Sequence, residues 1–368
     1  MCLSPSGISK KGLNLIAYNK PYSRFAYKLN MKKPASYFLI LVLGLALGIF
    51  ISQNETIWNT LKKPFTDSFT PFDDARKSNW DADFEVVDIK STLDNSLQKA
   101  YFLKSKSSSP KALVVSLHSW SGNYEQKDEL ATLSKTKDLN YIHPDFRGVN
   151  WTKDACCSDL AMADIDDAID YAIKNSNVDL SRIYVIGSSG GGYATLATFM
   201  RSKHLIRRFS AWVPISDLPA WYAQSKIMGT KYAENILDCT SSKDSLNLDI
   251  AIKKSPIYWK TPVEKLNTTE FQIYTGVYDG IQGSVPITHS INFYNKVLKD
   301  RLISDSSMYV SDSEKLNLLE YRKALGEFGS IAGRKIFLKK QSGNLGLTIF
   351  EGNHEMLTEY AFNQLTRE

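Results

Sequence analysis

Histidine and cysteine are scarce in this chain, five and four of 368 residues. With no Cys-x-x-Cys pair, so small a ligand supply argues against a zinc centre, and no metal is expected. Phosphate-binding loops are missing too. The glycine-rich stretch Gly187-Ser188-Ser189-Gly190-Gly191-Gly192 lacks the second glycine of a dinucleotide fingerprint, and no Lys-Ser/Thr pair follows it, so no cofactor is expected. Internal repeats and low-complexity tracts are also absent. Acidic residues are missing from the start of the chain, and residues 1–33 carry seven Lys/Arg with no Asp or Glu. The formal net charge of +6 belongs to that segment, because the rest of the chain holds 38 basic and 39 acidic residues. No basic face is left for nucleic acid, and none is expected as a partner.

Charge of either sign is absent from Pro34 to Asn54. At about 1.5 Å rise per residue these 21 positions span a hydrocarbon core of about 30 Å, so residues 34–54 read as one transmembrane helix. The Lys/Arg excess before it puts residues 1–33 in the cytoplasm and the remainder outside, in the periplasm if the cell is Gram-negative. Gly48-Ile-Phe-Ile-Ser52 offers no Ala-x-Ala-like cleavage site, which makes the span an uncleaved signal-anchor; Met31-Lys-Lys-Pro34 is an alternative start. Residues 55–81, rich in Thr, Ser, Asp and Pro, read as a linker, and 82–368 as the catalytic domain.

The most informative stretch that is present runs from Arg182 to Tyr193. A short apolar strand, Ile183 to Ile186, enters Gly187-Ser188-Ser189-Gly190-Gly191 and then a helical run through Met200. This is the Gly-x-Ser-x-Gly nucleophile elbow with Ser189 at its tip. Strand and helix nearly touch there, so Gly187 and Gly191 must lack a Cβ. The helix N-terminus points unpaired N–H groups at charge developing beside Ser189, which makes the Gly190 N–H one oxyanion donor.

A serine nucleophile needs a base and an acid. His118 and His143 end strand-like runs upstream of the elbow, His204 lies in the basic stretch after it, and His289 is inside an expected helix. His354 sits in Glu351-Gly-Asn-His-Glu355, a loop between a β-rich run and the C-terminal helix, and is the expected base. Asp279 follows the strand-like Phe271–Gly276, and Asp217 follows Ala211–Ile215. The order Ser189, Asp279, His354 is that of α/β-hydrolases, which favours Asp279 over Asp217.

With Leu117-His-Ser-Trp-Ser-Gly122, His143-Pro-Asp-Phe-Arg-Gly148 and Gly276-Val-Tyr-Asp-Gly280 added, the region from Asp83 onward resembles an α/β-hydrolase of the prolyl oligopeptidase-like branch, which includes peptidases and acetyl- or feruloyl-type esterases. The resemblance implies that the second oxyanion donor is the Trp120 N–H. It departs at Ser119, where the family usually has glycine, and no run of β-rich repeats of the propeller kind precedes it. Nothing resembles the amine-binding acids of the peptidases, so an ester, with acyl groups on carbohydrate in view, is expected over a peptide. The alternatives are a serine peptidase and a non-catalytic interaction module.

The remaining pattern fits that fold. Residues 84–89 and 98–103 alternate like antiparallel edge strands, and near-continuous apolar runs at 112–117, 140–142, 183–187 and 209–215 alternate with helical stretches. Such runs mark a mostly parallel sheet with helices on both faces. Residues 218–265 read as a helical cap whose rings, Trp221, Tyr222, Tyr232, Tyr258 and Trp259, pack in the core or face a substrate; 300–333 is a second polar insertion. Asp164, Asp166, Asp167 and Asp170 read as a solvated helix face, and Asp145 with Arg147 as a structural pair. Either Cys156 or Cys157 is expected to bridge to Cys239, across an oxidising compartment.

Overall fold

The computed structural model of the chain describes residues 79–127 and 129–368. The expected basic arm (1–33), the signal-anchor (34–54) and nearly all of the linker lie outside the described residues. Among the described residues no helix is long and apolar enough to cross a membrane.

Ten strands form one sheet in the order β1-β2-β4-β3-β5-β6-β7-β10-β9-β8. They are β1 (Glu85–Lys90), β2 (Leu97–Leu103), β3 (Lys111–Leu117), β4 (Asn140–Pro144), β5 (Val178–Ser188), β6 (Arg208–Trp212), β7 (Glu270–Gly276), β8 (Ser330–Ile331), β9 (Arg334–Ser342) and β10 (Leu345–Phe350). The six from β4 to β10 along this order are parallel; β1, β2, β9 and β8 are antiparallel additions at the two edges. Parallel strands covered on both faces carry apolar residues at every position. Accordingly, Leu113, Val115 and Leu117 enter one apolar cluster while Ala112 and Val114 enter the other. The first cluster includes α2 (Asp159–Asn175), α3 (Gly190–Arg201) and α7 (Ile287–Asp300). The second includes α1 (Glu129–Thr136) and α9 (Thr358–Thr366). Each large side chain sealed there contributes about 1.5–3 kcal/mol, so a charge at Val114 would break the sheet's centre.

Two expectations need correction. Asp164 and Asp167 of α2 are 2% and 5% exposed, not solvated. Asp164 accepts from Arg147 Nε at 2.5 Å, and Asp167 accepts from the Thr92 N–H at 2.7 Å, so the helix's acidic side is turned onto the loop before β2. Arg147 pairs with Asp164 and Asp94 and leaves Asp145 to accept from the Tyr124 N–H. Past α8 (Asp312–Glu320) and the end of the second insertion at residue 333, residues 334–342 are the strand β9, which the sequence reading did not include, joined to β10 by a turn with Gly343 at φ +58°. That polar strand was hidden by its lysines, although Ser342-Gly343-Asn344 is a hairpin signal.

The insertion after β6 holds α4 (Leu218–Ile227), α5 (Tyr232–Cys239) and α6 (Leu248–Lys253). A disulfide joins Cys156, in the loop before α2, to Cys239 at the end of α5. Cys157 is a buried thiol, pushed up to about 12 by burial.

Candidate active site

Parallel order places the ends of β5, β7 and β10 on one edge of the sheet, and the loops bearing Ser189, Asp279 and His354 all leave from that edge. Ser189 joins β5 to α3 at φ +57°, ψ −116°, a conformation that costs a non-glycine residue on the order of 1–3 kcal/mol. It is held there by its N–H on the Trp212 carbonyl, 2.9 Å, and its carbonyl on the Tyr193 N–H, 2.9 Å. The flanking glycines are required by close approach. A Cβ on Gly187 would lie 2.4 Å from the Gly191 backbone, and one on Gly191 would lie 2.0 Å from the Leu117 carbonyl oxygen.

The strand-end loops of β7 and β10 interlock. Val277 N–H donates to the Phe350 carbonyl at 2.8 Å and Tyr278 N–H to Gly352 at 3.0 Å. This clasp presents Asp279 to His354: Oδ2 lies 2.7 Å from Nδ1. The Asp279 side chain is fully sealed from solvent, and its charge is met by three donors. Oδ1 accepts from the Gly280 N–H at 2.9 Å and the Val285 N–H at 3.0 Å. Sequence reasoning missed Gly280 and Val285, because a backbone donor has no residue signature. Asp217 is elsewhere in function: Oδ1 caps α4 through the Ala220 N–H at 3.1 Å, and Oδ2 takes the Tyr258 hydroxyl at 3.1 Å.

Gly190 and Trp120 are brought together. The space a Gly190 Cβ would fill is occupied by the Trp120 backbone, with N at 2.2 Å. Among the described residues neither N–H meets an acceptor, so both remain available at the start of α3. Ser119, at the family's glycine position, donates its N–H to Gln126 Oε1 at 2.7 Å, which fixes the loop from its other side. Trp120's ring is fully buried, edge-on to Trp221 at 4.8 Å, so it does not wall the site. Trp221 itself is sealed.

The other histidines are structural. Burial pushes His143 and His289 down to about 3, and lowers His118 as well. His118 is wedged against Phe146 at 3.8 Å, with ring nitrogens 2.9 and 2.8 Å from the Ser119 and Asp145 carbonyl oxygens. His289 Nδ1 accepts from the Ser216 N–H, and His204 lies against Asp170 on α2. No cluster of His, Cys, Asp and Glu suited to a metal occurs among the described residues.

A mostly parallel sheet with a serine elbow, and an Asp–His pair on the same edge, defines the α/β-hydrolase class. The model of the prolyl oligopeptidase family matches residues 131–305, a span that holds Ser189 and Asp279. That match, on the fold described above, is consistent with an α/β-hydrolase of the prolyl oligopeptidase-like branch. Among solved structures it is similar to an acylaminoacyl peptidase of Pyrococcus horikoshii, at 18% identity and TM-score 0.48, over 59% of this chain and 35% of that one. A puromycin-hydrolyzing peptidase of Mycobacterium tuberculosis matches at 12% identity and TM-score 0.49, over 77% and 37%. Oligopeptidase B of Leishmania major matches at 12% and 0.49, over 77% and 36%. The matches thus span about a third of the length of those proteins. No curated protein sequence matches the chain.

Proposed function

We propose that this chain is a serine hydrolase working through an acyl-enzyme on Ser189. The observation that carries the reading is the sealed Asp279–His354 pair at 2.7 Å on the sheet edge that carries the strained serine. With Asp279 ionised, Nδ1 of His354 holds its proton and Nε2 is the base. His354 takes the Ser189 Oγ proton as Oγ adds to the substrate carbonyl carbon, and Asp279 stabilises the imidazolium. The carbonyl π electrons move onto oxygen, where the Gly190 and Trp120 N–H groups receive them; each such donor typically contributes about 3–4 kcal/mol. Collapse expels the leaving group, protonated by His354. Water, deprotonated by the same imidazole, then releases the acid and restores Ser189.

We assign an ester, with acyl groups on carbohydrate in view, as the bond cleaved. Support comes from the sequence, which has no stretch resembling the peptidases' amine-binding acids. A peptide bond is the second reading, favoured by the family match and by neighbours described as peptidases. A panel of short acyl esters, acetylated sugars, feruloyl esters and aminoacyl amides decides between them. Higher kcat/KM on the best ester supports the first reading, and on an aminoacyl amide the second.

The domain is assigned to the outer side of a membrane, held by residues 34–54, on the strength of their uncharged run and the basic residues before it. Protease added to intact spheroplasts should digest the region after Asn54 and spare a tag placed before Lys33. A protected catalytic domain would overturn that placement, and a released soluble form would overturn the uncleaved anchor.

A further inference from the structure

The insertion after β6 reaches the oxyanion loop directly. Trp120 Nε1–H donates to Asn235 Oδ1 on α5 at 3.2 Å, the ring stands edge-on to Trp221 of α4 at 4.8 Å, and Tyr232 of α5 packs on Trp221 at 4.9 Å. Trp221 continues the chain of contacts to the acid. Its Nε1–H donates to the Ser284 carbonyl at 2.7 Å, next to Val285, whose N–H holds Asp279 Oδ1. The far end of α5 is fixed by the Cys156–Cys239 bridge, and the Cys156 carbonyl accepts from the Tyr193 hydroxyl of α3 at 3.0 Å. Thus one short helix is tied to the oxyanion loop through Asn235 and, by its last residue, to the helix that starts at the nucleophile.

We propose that Asn235 is a positioning residue: through the Trp120 indole it fixes the backbone N–H of Trp120 where the oxyanion forms. The proposal rests on the serine hydrolase reading above. The indole hydrogen bond and the Trp221 edge contact hold the ring in one rotamer, which fixes the place of Cβ and so restrains the Cα and the main-chain N–H beside it. Removing the acceptor takes from the indole N–H of this buried ring its protein partner, and the ring is free to shift toward another. An oxyanion donor acts only if it is preorganised at 2.7–3.1 Å from the developing charge, and losing one outright costs on the order of 10²–10³ in rate. A loosened donor should lose about tenfold. The insertion is then part of the catalytic apparatus and does more than roof it.

The test needs no substrate, because a fluorophosphonate probe phosphonylates the serine and uses the same oxyanion donors. Second-order labelling rates are measured on the full chain for wild type, Asn235→Leu, Asn235→Asp and Trp120→Phe, across pH 5 to 9. Asn235→Leu should label about tenfold more slowly with the pH midpoint unchanged, since the base is untouched. Asn235→Asp keeps an acceptor oxygen and should stay within about threefold of wild type. Trp120→Phe removes the same hydrogen bond from the other side, so it reads the proposal even if Asn235→Leu fails to fold, and the double variant should be no slower than the slower single. Wild-type rates for both Asn235→Leu and Trp120→Phe overturn the proposal, as does a rate loss accompanied by a shifted pH midpoint. An unlabelled wild type instead overturns the hydrolase reading on which it rests.

Discussion

Replacing Asp279 by asparagine changes one atom in the buried contact with His354. Three donors converge on the carboxylate: the Gly280 and Val285 N–H groups on Oδ1 and His354 Nδ1 on Oδ2. An amide has one acceptor oxygen. If that oxygen stays on the two backbone N–H groups, the NH₂ faces His354, whose ring must then turn a lone pair to it and carry its proton on Nε2. If the amide flips, its NH₂ meets two N–H donors and strands them, at about 1–3 kcal/mol each. The first arrangement therefore wins by several kcal/mol, and the ring is locked in the tautomer that cannot accept the Ser189 proton. We expect kcat to fall by about 10⁴, equal to about 5 kcal/mol of transition-state stabilisation. Stability should change by no more than about 1 kcal/mol, because both backbone hydrogen bonds remain. Asp217→Asn is the control: asparagine caps a helix as well as aspartate does, so its rate should stay within a few-fold. Turnover of p-nitrophenyl acetate, with urea unfolding alongside, measures both variants. A crippled Asp217→Asn beside a near-normal Asp279→Asn would refute the reasoning.

Three further outcomes are expected. Gly191→Ala places a Cβ 2.0 Å from the Leu117 carbonyl and should abolish soluble expression, whereas Gly229→Ala, at φ +64° with nothing within 4 Å, should cost about 1–2 kcal/mol; equal thermal midpoints for the two would contradict the elbow packing. Cys239→Ala opens a loop closed over 83 positions and should lower stability in urea by about 4 kcal/mol, against no change if the bridge constrains nothing. Burial holds His143 at about 3 against 6.5 when unfolded, so its neutral form contributes stability that is complete above about pH 6.5 and is lost as pH falls toward 3. Wild type should therefore lose about 1.4 kcal/mol more per pH unit in that window than His143→Phe, and parallel pH–stability curves would show that His143 titrates normally.

Ser189 was legible because its constraint is local: a strand, a turn and a helix in twelve residues leave few ways to pack, and glycine is needed where backbones meet. Asp279 and His354 were suggested by chain order together with their places after strand-like runs, since a parallel sheet brings every strand's end to one edge. What stayed hidden was pairwise. Arg147 skips Asp145, two residues away, for Asp94 and Asp164, and α2 turns Asp164 and Asp167 inward because loop donors wait there, which helical periodicity does not record. Between Cys156 and Cys157 the sequence offers no preference, as adjacent side chains diverge and the backbone decides; the structure pairs Cys156. Trp221 illustrates the same limit. Its spacing did not distinguish a platform for substrate from the sealed link between Trp120 and Ser284.

The account turns on Ser189 as nucleophile, and one measurement reaches that point directly. The purified full chain is treated with a fluorophosphonate at neutral pH, and the modified residue is located by mass spectrometry in wild type, Ser189→Ala and His354→Ala. We expect stoichiometric phosphonylation of Ser189 with none on the neighbouring Ser188, loss of labelling in Ser189→Ala, and a rate reduced by several powers of ten in His354→Ala. Equal absence of label in folded wild type and Ser189→Ala, or label on any other serine, would contradict it.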